Sequence, residues 1–139
     1  MKALGLDLGD ASLGIAISDE GKMIARGVEN LRFEKNDWQT PIKRVQSLVE
    51  KEPVDVIVLG HPKNMDGTAG KQAKSAETFK KLLEKSVDVT IVLYDERLTT
   101  KMAQGQMHRS RRARKKRQNR LDEESAVVLL QNYLDGNKE

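Results

Sequence analysis

Between Lys2 and Ser12 the chain reads KALGLDLGDAS, and this stretch constrains the fold more than any other. Lys2 to Leu8 is an almost continuously apolar run of strand length, broken only by Asp7, and a turn through Gly9 follows at once. A run this apolar predicts a strand covered on both faces, as in the centre of an α/β sheet. A carboxylate is costly there unless a metal ion, a cation or a hydrogen-bond network compensates it. Taken alone, Asp7 reads equally well as a ligand or as a turn residue bonded to the Gly9 region.

The segments after Ser12 surround that strand. Ser12 to Ser18 (SLGIAIS) predicts a second strand and Lys22 to Leu31 a third, joined by short turns into an antiparallel meander. Thr40 and Pro41 predict the N-cap and first position of a helix with Ile42, Val45, Leu48 and Val49 on one stripe, ending at Pro53. Val54 to Gly60 (VDVIVLG) predicts a fourth strand, which after a helix suggests a right-handed crossover into a parallel sheet. The loop GHPKNMDG precedes a helix running to about Ser86 with Ala73, Ala76, Phe79, Leu82 and Leu83 inward. Val87 to Tyr94 predicts the fifth strand. A short helix carrying Leu98, Met102 and Met107 is expected next, then an arginine-rich stretch, then a helix from Asp122 to about Asp135 closed by Gly136.

With the first, fourth and fifth strands parallel, Asp7, Gly60 and the pair Asp95-Glu96 fall at carboxyl ends, where such sheets build sites. In the order 1-4-5, Gly60 would leave a gap between Asp7 and Glu96. Asp122 shares a helical face with Ala126, Leu129, Leu130 and Tyr133, the stripe expected against the sheet. Three carboxylates around a gap suit a hard divalent cation. Each has a plainer reading: Glu96 alone reads as a solvated acid paired with Arg97, and Asp122 as a helix cap. The loop could be only a turn, although its place suggests that Lys63 and Asn64 meet phosphate or ribose. Thr99 and Thr100 could cap a helix or touch backbone oxygens. His61 and His108 have no paired spacing and read as incidental.

Charge narrows the partners. The net charge of +4 divides into a segment of about +10, Arg97 to Leu121 without one acidic residue, and a remainder of about −6. Its cations include Arg109, Arg111, Arg112, Arg114, Lys115, Lys116 and Arg117, which define a basic loop at about 109–121. A one-signed arm on an acidic body suits a polyanion, nucleic acid above all, although a solvated loop would show the same composition. With 4% aromatic residues there is little material for base stacking, so the arm is expected to position backbone without reading bases. The 139 residues fit one domain, 1–139. The absence of cysteine excludes disulfides and cysteine-ligated zinc, and no apolar run has membrane-span length, so a cytoplasmic protein with no membrane partner is expected.

Four ordered stretches, GLDLGDASLGIAISDEG, GHPKNMDG, DERLTT and LDEESAVVLLQNYLD, resemble the YqgF/RuvX family of RNase H-like proteins over about Lys2 to Leu134. The resemblance implies an RNase H-like α/β fold, a mixed five-stranded sheet in the order 3-2-1-4-5 with helices on both faces. It also implies a nuclease dependent on Mg²⁺ (or Mn²⁺) that matures the 5′ end of pre-16S rRNA, with Asp7, Glu96 and Asp122 as the acidic triad holding the metal. Arg97 and the basic loop would then belong to substrate binding, and ribosomal particles join precursor rRNA as expected partners of a monomer or weak dimer. The chain departs from the family pattern at Asp10, usually threonine or a small residue, which adds a fourth negative charge beside the expected metal site. It departs also at Ser125, in place of a small apolar residue, and at His61, in place of a large apolar one.

Three rival classes follow from the same residues. A DxG turn between strands also opens the phosphate-binding hairpin of actin-like ATPases and sugar kinases, but those close two such domains on a nucleotide and this chain has length for one. A Holliday junction resolvase acting in DNA recombination or repair would be a stable dimer with two sites. A non-catalytic RNA-binding assembly factor would use the basic arm equally well.

Overall fold

The computed structural model describes residues 1–62, 70–95 and 121–136, the last with side chains from Ser125 onward. The opening strand, β1 (Lys2–Leu8), lies at the centre of a five-stranded sheet. On one side it pairs antiparallel with β2 (Ser12–Ser18), which pairs antiparallel with β3 (Ala25–Arg32). On the other side β4 (Val54–His61) and then β5 (Thr90–Asp95) run parallel to it. The order is β3-β2-β1-β4-β5, so the expected mixed sheet is present. The β1-to-β4 and β4-to-β5 connections carry α1 (Gln39–Lys51) and α2 (Lys71–Glu84), and α3 (Leu121–Gly136) follows β5 in the chain.

Alternation along β1 assigns the two faces. Leu4, Leu6 and Leu8 join Ile42, Val45 and Leu48 of α1 and Ala76, Phe79 and Leu83 of α2 in one buried cluster. Ala3 lies in the other cluster, with Ala16, Val56 and Val58 against Ala126, Leu129, Leu130 and Leu134 of α3. The sheet is therefore covered on both faces, as its near-continuous apolar strands require. Each fully buried Leu, Ile or Phe contributes roughly 1.5–3 kcal/mol over exposure, which makes these two stripes the main source of stability. Gly5 lets α3 settle closely on β1: a Cβ there would lie 2.8 Å from Leu130 Cβ and 3.2 Å from the Ala126 carbonyl oxygen. Trp38 and Phe79 meet with ring centroids 5.7 Å apart, joining the start of α1 to α2.

Several boundaries differ from expectation, each for a local polar reason. The third strand begins at Ala25, not Lys22, because Asp19 Oδ1 accepts the Met23 and Ile24 amides at 2.8 and 3.0 Å and takes both residues into the turn. Met23 and Ile24 are exposed in consequence. Lys22 occupies the left-handed region of this turn (φ 55°) and its Nζ pairs with Asp55 at the foot of β4. α1 begins at Gln39 after Trp38, so Thr40 is no N-cap and Pro41 lies inside the first turn; Asp37 accepts the Thr40 hydroxyl at 2.7 Å. The fifth strand begins at Thr90, not Val87, because the Ser86 and Val87 amides both donate to Leu83 O and close the end of α2. The last helix begins one residue before Asp122, at Leu121, and includes Gly136.

The backbone donors from Ile24 and then Met23 hold the Asp19 carboxyl below its ordinary range. A lowered folded-state value means that the unfolded chain binds the proton first. The turn's contribution to stability is therefore complete above the unfolded carboxylate value near 4 and is lost as pH falls through the lowered one. Urea unfolding should show Asp19→Ala less stable than the parent at pH 7, with the gap narrowing at pH 3. A gap independent of pH would contradict this role for the carboxylate.

Candidate functional site

Asp7 is half-buried near the carboxyl end of β1, with the same parity as Ala3 and Gly5, and so belongs to the α3 face. Register sets its neighbours. Asp7 pairs with Gly14 of β2 and stands one step beyond the pair Leu6↔Leu59, level with Gly60 of β4, which in turn pairs with Tyr94 of β5. The row across the carboxyl edge is thus Asp7, Gly60, Tyr94, with strands spaced about 4.8 Å apart. Gly60 contributes no side chain to this row; Glu96, the other side of the expected gap, lies outside the described residues. Asp95 pairs with His61 one step further on, and Glu96 is the next residue in the chain.

α3 approaches this edge with its N-terminal end. Ala126 and Leu130 lie over Gly5, while Gln131 lies further down, accepting the Ala25 amide at 2.9 Å and donating to Met23 O at 2.9 Å. The helix therefore runs antiparallel to β1, and its opening turn is at the Asp7 end. Asp122 is one helical turn before Ala126, at that end of the backbone. The partial positive charge of a helix N-terminus is favourable for carboxylates there. Tyr94 and Tyr133 meet edge-on at 6.3 Å, packing β5 against α3 two residues before Glu96 in the chain.

Of the residues expected to hold metal or substrate, Asp7 is the one whose side chain falls within the described set. Lys63, Asn64, Glu96, Arg97, Thr99, Thr100, His108, Arg109, Arg111, Arg112, Arg114, Lys115, Lys116 and Arg117 lie outside the described residues, as do the expected short helix around Met102 and the side chain of Asp122. Among the described residues no three His, Asp or Glu side chains group as metal ligands. Asp7 by itself is a hard oxygen donor at the edge of the sheet, the donor type that Mg²⁺ and Mn²⁺ accept.

Two neighbours of this edge, Asp10 and His61, were noted in the sequence as departures from the family pattern, and their contacts have no signature there. His61 is 8% exposed on the opposite face of β4, its Nε2 buried without a hydrogen-bond partner among the described residues and 3.7 Å from Glu77 Oε2 of α2. Strand alternation with Ile57 and Leu59 was the available signal that residue 61 faces inward. Asp10, in the turn after β1, is exposed and accepts a hydrogen bond from Gln72 Nε2 at 2.6 Å. A separate cleft of about 500 Å³ opens at the opposite edge of the sheet, lined by Lys2, Ser18, Asp19, Glu20, Ile24 and Arg26. Its lining pairs two acids, Asp19 and Glu20, with two cations, Lys2 and Arg26. No helix among the described residues is long and apolar enough to cross a membrane.

A mixed sheet of this order flanked by helices on both faces is the RNase H-like fold of resolvases. Thermus thermophilus RuvC, solved with a Holliday junction substrate, superposes with a TM-score of 0.63 at 14% identity, covering 98% of this chain and 95% of that one. The fowlpox virus resolvase in complex with Holliday junction DNA gives 0.59, also at 14% identity, with both chains fully covered. The family model described as "RuvX: Holliday junction resolvase" matches residues 1–136, and the chain belongs to that family. Relatives named "Putative pre-16S rRNA nuclease" from Geobacillus sp. and Bacillus subtilis are each 42% identical over 97% of this chain and 98% of their own length.

Proposed function

We propose that this protein is a divalent-metal-dependent nuclease that hydrolyses phosphodiester bonds in RNA and trims the 5′ end of pre-16S rRNA. The observation that carries the reading is where the basic segment is anchored. It leaves β5 after Asp95 and re-enters the described chain at Leu121, and both points lie at the sheet edge that holds Asp7. The strongest positive charge in the chain is thus tethered beside the one acidic position of the central strand. The names of the relatives from Geobacillus and Bacillus subtilis support the RNA substrate.

In this reading Asp7, Glu96 and Asp122 hold Mg²⁺ or Mn²⁺, which supplies an activated water and neutralises charge on the phosphate oxygens. Asp7 contributes a half-buried carboxylate whose direction is set by β1 pairing on both sides. Gly60, level with Asp7 and without a side chain, would be the place for a phosphate next to it. Arg97, Arg109, Arg111, Arg112, Arg114, Lys115, Lys116 and Arg117 hold the nucleic-acid backbone, with Lys63, Asn64, Thr99 and Thr100 as further contacts. Recognition through phosphates makes specificity depend on substrate shape or on a ribosomal particle as partner. The protein is placed in the cytoplasm with precursor rRNA, acting as one folded domain, a monomer or weak dimer.

The test is cleavage of end-labelled single-stranded RNA, the pre-16S 5′ leader and a four-way DNA junction, each with Mg²⁺ and with chelator. Preferred cutting of the leader supports this reading. Preferred cutting of the junction, the substrate in the family's description, replaces it with resolution of recombining DNA. Binding of RNA without any cleavage, with the ribosomal precursor particle also present, replaces it with a non-catalytic assembly factor.

The arm makes its own prediction. Changing Arg111, Arg112, Arg114 and Arg117 together to glutamine should weaken RNA binding at low salt and reduce the slope of log K against log salt. The reduction should be about 0.7–0.9 for each phosphate no longer neutralised. An unchanged slope, read by fluorescence anisotropy across a salt series, contradicts the arm as the phosphate-binding element.

A further inference from the structure

The turn between β1 and β2 begins two residues after Asp7 and is fastened at three points. Gly9 N–H donates to Ser12 O at 2.8 Å, closing the turn on itself. Phe33 N–H donates to Ala11 O at 3.0 Å, tying it to the chain after β3. The third tie crosses to a helix: Gln72 Nε2, in the first turn of α2, donates to Asp10 Oδ1 at 2.6 Å. A short bond from an amide to a carboxylate is charge-assisted and stronger than a neutral one.

The orientation of the Gln72 carboxamide follows from its partner, since the reverse orientation would set its oxygen against a carboxylate oxygen. Its Oε1 is buried with no hydrogen-bond partner among the described residues. Asp10 is therefore the group that orders this side chain within the described set. The side of the sheet matters as much as the bond. α2 packs its Ala76, Phe79 and Leu83 against the face carrying Leu4, Leu6 and Leu8, whereas Asp7 belongs to the α3 face. The bond from Gln72 thus draws Asp10 toward the helix on the side of the sheet away from Asp7.

We propose that Asp10 and Gln72 form a latch that positions the β1–β2 turn, and through it Asp7, with Asp10 an anchor and not a metal ligand. This inference rests on the metal-dependent reading of the Asp7 edge given above. It distinguishes two roles for the extra carboxylate that differ in what the charge does. A ligand needs the negative charge of Asp10, whereas a latch needs only an oxygen that accepts from Gln72, which asparagine also supplies.

The experiment measures Mn²⁺ binding to the full chain by calorimetry, and amide hydrogen exchange at residues 9–12, for the parent, Asp10→Asn, Asp10→Ala, Gln72→Ala and Asp10→Ala/Gln72→Ala. The latch predicts that Asp10→Asn keeps Mn²⁺ affinity within about twofold and leaves exchange in the turn slow, a rescue by the conservative variant. Asp10→Ala and Gln72→Ala should each weaken Mn²⁺ binding about three- to tenfold and speed exchange, and the double variant should be no worse than either. Equal loss in Asp10→Asn and Asp10→Ala with Gln72→Ala unaffected overturns the latch and makes Asp10 a ligand. Fully additive losses in the double variant also overturn it. Should Asp10→Ala fail to fold, the contrast between Asp10→Asn and Gln72→Ala decides alone. A parent that binds Mn²⁺ but cleaves nothing overturns the nuclease reading and leaves the latch readable, whereas a parent that binds no Mn²⁺ overturns both.

Discussion

Asp7→Asn is expected to lower metal-dependent cleavage at least about 10³-fold while leaving nucleic-acid binding within about twofold of the parent. The substitution keeps the shape of the side chain and removes the charge that a divalent ion requires. A metal supplies several kcal/mol of stabilisation to a phosphoryl transition state, and each 1.36 kcal/mol is about tenfold in rate. Binding is expected to be spared because the cations proposed to hold phosphate belong to the segment after Asp95, not to β1. The fold is spared because β1 is held by pairing along both edges and by Leu4, Leu6 and Leu8 in the core. Thermal melting in chelator should confirm an intact fold. Loss of cleavage and binding together contradicts this division of labour.

The second large effect is expected at Gly5, where nothing polar or catalytic is involved. A methyl group there would stand 2.8 Å from Leu130 Cβ, an atom fixed to the helix backbone and unable to swing aside. Gly5→Ala should therefore push α3 outward and cost about 1–3 kcal/mol, the usual range for overpacking, and Gly5→Val more. α3 also carries Asp122 one turn before Ala126, so an outward shift moves its N-terminal end relative to Asp7. A displacement of about 1 Å at a reacting centre can cost about 10²-fold, so kcat should fall further in Gly5→Ala than the loss of folded protein explains. Gly136→Ala is the control, since a Cβ there meets nothing within 4 Å. A Gly5→Ala protein with parental melting temperature and activity contradicts the close seating of α3 on β1.

What sequence patterns reveal and what they hide divides along physical lines. Periodicity sufficed for the existence of the five strands, the covering of β1 on both faces and the inward stripe Ala126, Leu129, Leu130, because repeated burial writes the same pattern many times, whereas the full order 3-2-1-4-5 came from the family resemblance. The level position of Gly60 beside Asp7 does not follow from where the strands start: pairing in step from Lys2 and Val54 would set Leu59 there, and a register shift between Lys2 and Ala3 moves β4 on by one residue. Boundaries set by one polar side chain were not legible. Asp19 captures two amides and removes Met23 and Ile24 from β3, although both residues favour the strand they flank. The expected cap at Thr40 failed for a similar reason, since Asp37 takes the Thr40 hydroxyl and the helix starts two residues earlier, at Gln39 and not Pro41.

Long-range pairs were the least legible. His61 reads as incidental in sequence yet is buried beside Glu77, because β4 continues one residue past Gly60 and strand alternation turns that residue toward α2. Asp10 and Gln72 are separated by 62 positions, and no spacing rule connects them. Gly5 did carry a signal, as an isolated glycine inside an apolar strand often marks a close backbone approach. For the acidic triad, Asp7 was legible as a charge where apolar residues are the rule. The roles of Glu96 and Asp122 rest on motif resemblance, since a strand-end acid and a helix-start acid are common for ordinary reasons.

The measurement that tests the central claim most directly is the location of a bound Mn²⁺ ion by paramagnetic broadening of backbone amide signals in the full chain. The account predicts broadening centred on Asp7, Gly60 and Asp95 and on the first turn of α3 at Leu121, abolished in Asp7→Asn. Broadening centred instead on the cleft around Asp19 and Glu20, or unchanged by Asp7→Asn, would contradict a metal centre at this edge of the sheet.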